Sequence, residues 1–195
     1  MIATHDSLTF LAPRLWIMRP LSPLWCTQTK NLLQQAQAGC TYFDLRVRWH
    51  APSRQWRACH GLVDLRSQWT HLADLIRETL AVEPKARLRI ILERGNQEAC
   101  QIFKIEINSI MMRFPQLPIA FIGIKKGWQV IHRDDPPILD RSFVPWLSGL
   151  TLRQNLKRIL HQRLWKSSIR KWAKDHPVTK EMIADPNMLY FVDHL

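Results

Sequence analysis

The stretch Tyr42–Gly61, YFDLRVRWHAPSRQWRACHG, decides how this chain is read. Its first half alternates strictly: Phe43, Leu45, Val47 and Trp49 fall on one side of an extended strand, and Asp44, Arg46 and Arg48 on the other. A half-buried strand with its polar face in water would show that pattern. The acid and arginine two apart, followed by His60-Gly61, point elsewhere. A planar guanidinium beside a carboxylate and an imidazole suits the handling of a phosphate ester.

Working outward, MIATHDS at residues 1–7 is a short apolar start that runs into His5-Asp6. Neighbours on a regular strand point to opposite faces, so these two share a pocket only where the backbone turns. Residues 8–24 are punctuated by proline and read as a long loop. A helix is expected from about Cys26 to Ala38, closed by Gly39. After the strand Thr41–Trp49, a loop through Pro52 leads to His60.

Ser67 is expected to open an amphipathic helix with Trp69, Leu72, Leu75, Ile76 and Leu80 at helical spacing, stopped by Pro84. Arg87–Leu92 reads as a buried strand, and Asn96 caps a helix to about Phe114. Further strands are expected at Ile119–Ile124, at Trp128–His132 and at Met188–Val192, with a long basic helix from Thr151 to Lys174. Alternating strands and helices predict an α/β architecture on a parallel sheet, open or closed into a barrel.

The 195 residues fit one domain, 1–195, with a real core. A net charge of +12 favours polyanions or anionic lipid surfaces as partners, though it also serves plain solubility. No nucleic-acid motif accompanies the charge, which argues against that partner. Nine tryptophans beside many basic residues suit a membrane interface, although most are expected to pack internally. Cys26, Cys40, Cys59 and Cys100 form no CxxC pair and read as reduced packing residues. With no signal or spanning segment visible, a cytoplasmic or peripheral membrane location is expected.

The order THDS, CTQTKNLLQQAQAG, YFDLRV, CHG and RIILE resembles the catalytic X region of phosphatidylinositol-specific phospholipase C and its phosphodiesterase relatives, as far as about Glu93. The resemblance implies a distorted TIM (β/α) barrel, incomplete here because only six or seven strands are legible, with its site at the C-terminal strand ends. It implies that His5 is the general base on an inositol hydroxyl and His60 the general acid on the departing oxygen. Asp6 would orient the acid, and Asp44 would support Arg46. Animal-type relatives carry Glu-x-Asp and calcium where this chain has Asp44-x-Arg46. The guanidinium then replaces the metal, so neither a metal nor another cofactor is expected.

The sequence also departs from that family. Where relatives carry a lysine or glutamate, this chain has Gly95, and Glu93 is the nearest replacement. Lys125 and Lys126 are candidates for substrate contact, and Asp193, ahead of Asp134 and Asp135, for the partner of His5. Three functions follow: cleavage of a phosphatidylinositol-like lipid through a cyclic phosphate, action on another phosphodiester, or an inactive module that binds anionic lipid.

Overall fold

A computed structural model describes residues 1–124, 131–132, 138–140, 173–185 and 187–193. Lys125, Lys126, Asp134, Asp135 and nearly all of the basic segment 151–174 lie outside these residues. The strands are β1 (Ile2–Thr4), β2 (Cys40–His50), β3 (Gln55–His60), β4 (Val63–Trp69), β5 (Arg87–Arg94), β6 (Ile119–Ile124), β7 (Ile131–His132), β8 (Ile138–Asp140) and β9 (Leu189–Val192). The α-helices are α1 (Leu32–Gln37), α2 (Leu72–Val82), α3 (Gln97–Arg113) and α4 (Lys180–Ala184).

One sheet runs in the order β7-β6-β5-β2-β1-β9-β8, with β3 and β4 appended to β2. Its centre is parallel, as alternation of strands and helices requires. β3, β4 and β7 run antiparallel, so the sheet is mixed. Among the described residues it is open, and its nine strands exceed the six or seven legible in the sequence.

Phe43, Leu45 and Val47 of β2 pack into the main core with Leu72, Leu75 and Ile76 of α2 and Phe103 and Ile107 of α3. Trp56 from β3 meets Phe103 edge-on at 5.8 Å and is fully buried. The opposite face of β2 begins with Tyr42, clustered with Ala3 and Leu189, and continues into Asp44 and Arg46. Both faces are therefore covered, and the polar residues of this strand are not a solvated edge.

Two expected elements are shorter than their periodicity suggests. α1 starts only at Leu32, where Asn31 and Gln34 form a capping box. Thr27 and Gln28 lie outside it because their side chains bond the His5 carbonyl beyond β1 and the Val192 carbonyl at the end of β9. α2 starts at Leu72 rather than at Ser67, because Ser67–Trp69 still pair as β4. Trp69 mimicked helical spacing, yet it ends a strand and its indole N–H donates to Glu78 at 2.8 Å. The expected loop before His60 is largely β3, and residues 16–24 form a 3-10 helix.

Candidate active site

β1 stops at Thr4, and the chain then turns through Asp6, whose φ of +49° is left-handed. Aspartate tolerates that region better than most residues. The turn removes the obstacle of alternation, so both His5 and Asp6 reach Arg46 of β2. Ser7 N–H donates to the Asp44 carbonyl at 2.8 Å, and Asp6 N–H to Asp44 Oδ2 at 3.3 Å. Buried side chains brace the turn from behind. Thr27 Oγ1 donates to the His5 carbonyl at 2.7 Å, Gln28 Nε2 to the Val192 carbonyl at 3.1 Å, and Gln35 Nε2 to the Ser7 carbonyl at 2.9 Å.

Arg46 is the hub. Its Nε and Nη2 donate to Asp44 Oδ2 at 3.2 and 3.0 Å, and its Nη1 to Glu93 Oε2 at 3.0 Å. Nε also contacts Asp6 Oδ1. Burial would lower the arginine pKa, but Asp44, Asp6 and Glu93 raise it, so the charge is permanent. Burial likewise pushes the Asp6 carboxyl up, while Arg46, His60 and His5 together hold it far below the ordinary carboxylate range.

The two imidazoles stand 6.3 Å apart between ring centres, at 83° to each other. His5 Nδ1 lies 3.0 Å from Asp193 Oδ1, and its Nε2 lies 2.9 Å from Arg46 Nη2. Arginine can only donate, so His5 Nε2 presents a lone pair and Nδ1 carries the proton. Burial pulls the His5 pKa down, Asp6 raises it, Arg46 opposes, and Asp193 tips the balance above 6.5. His60 has the reverse environment. Its Nδ1 bonds the Trp25 carbonyl and its Nε2 lies 2.9 Å from Asp6 Oδ2. Both neighbours are acceptors, which only the doubly protonated ring satisfies at once.

His5, Asp6, Asp44, Arg46, His60, Glu93 and Asp193 are thus brought together, and the aspartate beside His5 is Asp193 after β9. Sequence reasoning missed Arg89, whose Nε lies 3.8 Å from Asp44 Oδ1. It also missed Thr27, Gln28, Gln35 and the Trp25 carbonyl, polar groups that read as ordinary helix or loop. Gly95 has a local reason: a Cβ there would stand 2.8 Å from the Ala99 Cβ. A roughly 400 Å³ cavity lies elsewhere, between α2 and α3, lined by Ile76, Leu80, Ile110 and Phe114. Among the described residues the four cysteines form no disulfide, no group of three or more metal-ligating side chains occurs, and no helix is long and apolar enough to cross a membrane.

No protein-family model matches this sequence, and no curated protein does either. Among solved structures, its fold is similar to phosphatidylinositol-specific phospholipase C from Listeria monocytogenes, with a TM-score of 0.55 and 14% identity over 100% of this chain and 87% of that one. The S. aureus enzyme of the same name overlaps less. A double-mutant form gives a TM-score of 0.36 at 24% identity, over 48% of this chain and 29% of that one. Another S. aureus structure, determined in work on membrane binding, gives 0.44 at 18% identity over 65% and 47%. The chain therefore spans less than half the length of the S. aureus enzyme.

Proposed function

We propose that this chain is a phosphodiesterase, a single catalytic domain that cleaves phosphatidylinositol-like lipids by intramolecular attack through a cyclic phosphate. The observation that carries it is the opposite surroundings of the two imidazoles: His5 Nε2 faces a donor, and His60 faces two acceptors. A base needs a free lone pair and an acid needs a proton to give. His5 takes the proton of the attacking hydroxyl and passes charge toward Asp193. His60, held by Asp6, protonates the departing oxygen. Arg46 Nη2 stands 2.9 Å from His5 Nε2, and the incoming hydroxyl takes that place.

Arg46 supports a reading in which a fixed guanidinium, rather than calcium, meets the phosphate charge. It neutralises Asp44 and Glu93, the carboxylates nearest to a metal-binding pair. The sheet, with helices packed on one face and the ionic cluster on the other, is taken as the arc of a distorted barrel. Leu15, Trp16 and Ile17, at the start of the 3-10 helix, are exposed, as is Leu62, two residues after His60. These apolar groups support peripheral contact with an anionic membrane. The lack at Gly95 of the lysine or glutamate side chain that the resemblance implies favours a second reading, in which the same site acts on a diester with a different headgroup.

Purified protein should release diacylglycerol and inositol cyclic phosphate from phosphatidylinositol vesicles in the presence of a calcium chelator. His5→Ala and His60→Ala should each lower turnover by about 10²–10⁴-fold. Undiminished activity in both variants would end the acid/base assignment.

A further inference from the structure

Asp44, Arg46 and Arg48 follow one another on the same face of β2, and the strand continues past the site into the β3–β4 hairpin. There the cross-strand partner of Arg48 is Arg57. Like charges placed directly opposite one another destabilise a sheet. Asp64 of β4 stands between them, with Oδ2 2.5 Å from Arg48 Nη2 and 3.5 Å from Arg57 Nη1. Arg14 joins from the loop after β1: its N–H donates to the Asp64 carbonyl at 2.8 Å, and its Nη1 to Gln68 Oε1 at 2.8 Å. Two guanidiniums therefore share the Asp64 carboxylate, and that of Arg14 is held against the same strand through Gln68.

The Nε groups of Arg48 and Arg57 are buried and, like Asp64 Oδ1, have no hydrogen-bond partner among the described residues. A buried donor left unpaired costs stability, and an anion with several oxygens would satisfy both. The crowding also shows in Arg57, whose pKa is lowered by burial and then by Arg14. The cluster adjoins the catalytic centre rather than standing apart from it. Cys59, the next residue on this face after Arg57, pairs with Asp64 across the hairpin, and its neighbour His60 contacts Asp6. Arg46 and Arg48 are two residue steps apart along the strand, about 7 Å at the usual rise. That spacing suits two phosphates bound side by side.

We propose that Arg14, Arg48 and Arg57 form a second phosphate-binding subsite, which holds a phosphate next to the one at Arg46. The second phosphate comes either from a monoester on the same headgroup or from a neighbouring lipid. Describing it as part of the substrate rests on the phosphodiesterase reading; the binding itself does not.

Calorimetry with two water-soluble probes tests it, and so does vesicle binding. Inositol 1,4-bisphosphate should bind at least about ten-fold more tightly than inositol 1-phosphate, as one added charge-assisted contact implies. Arg57→Gln should erase that difference and leave inositol 1-phosphate binding unchanged. Asp64→Asn should strengthen bisphosphate binding, an effect that misfolding cannot imitate. If the two probes bind equally, but Arg57→Gln weakens binding to phosphatidylcholine vesicles containing phosphatidylserine, the second phosphate belongs to a neighbouring lipid. Equal probe affinities with no effect of Arg57→Gln on vesicles would overturn the subsite, even for an enzyme with full turnover. Tight bisphosphate binding without turnover on any diester would leave the subsite standing and remove the phosphodiesterase reading.

Discussion

Two clusters on one face of β2 carry opposite charge balances. Around Arg46 the protein places Asp44, Asp6 and Glu93, with His5 and His60 against the same groups. Around Arg48, further along the same face, the described residues place Arg57 and one carboxylate, Asp64, with Arg14 held nearby on β4. The strand itself does not cause the difference, since Asp44-x-Arg46-x-Arg48 merely alternates. The neighbours do. β5 and the turn after β1 bring carboxylates to Arg46, whereas β3 brings a second arginine to Arg48. In the inner cluster Arg46 and His60 offset the carboxylates, so charge is matched within the protein. The outer cluster is completed by something else.

The sharpest way to break this contrast is to empty the hub. Arg46→Met leaves Asp44, Asp6 and Glu93 buried without their cation, and should cost about 3–5 kcal/mol in urea unfolding. Arg46→Lys should recover little of that, because one ammonium cannot serve carboxylates on several sides as the guanidinium fork does. A loss under about 1 kcal/mol for Arg46→Met would mean that the carboxylates are already protonated or hydrated, and the inner cluster would not be self-sufficient.

Acid should expose the same asymmetry with a smaller effect. The Asp6 pKa is depressed in the folded protein, so its stabilising contribution is present above the unfolded value of 3.8 and is lost as pH falls toward the folded value. His5 has the opposite sign. Its raised pKa contributes fully below 6.5, and that contribution disappears as pH rises through the folded value. Urea midpoints measured across this range should therefore fall at both ends. Asp6→Asn should flatten the acid limb, and an unchanged slope below about pH 4 would place the acid sensitivity elsewhere.

How much of this the sequence carried depends on the length scale of each signal. β2, β5, β6 and α3 were legible because each is set by its own periodicity and caps. Asp44, Arg46 and His60 were legible because they lie within one stretch of chain. The pairing of His5 with Asp193 spans nearly the whole chain, and only the topology that lays β9 beside β1 brings them together. The hairpin was hidden for a different reason. Trp69 and Leu72 are three apart, so a strand end and a helix start imitate one continuous helix. Polar braces such as Gln28 and Gln35 carry no pattern, because their burial is decided by a neighbouring element.

The smallest predicted effect is the one that most sharpens the comparison. Arg57 is only 11% exposed and makes an ion pair, which alone would forecast a substantial loss on its removal. Its contact with Asp64 is nevertheless long, at 3.5 Å, and Asp64 keeps the closer Arg48 when Arg57 is gone. Removing Arg57 also relieves the direct cross-strand repulsion with Arg48. Arg57→Gln should therefore change stability by less than about 1 kcal/mol. That sets it well apart from Arg46→Met, although the two arginines stand on adjacent paired strands. A loss comparable to that of Arg46→Met would show that the hairpin arginines are structural, and the contrast between a closed centre and an open anion subsite would fail.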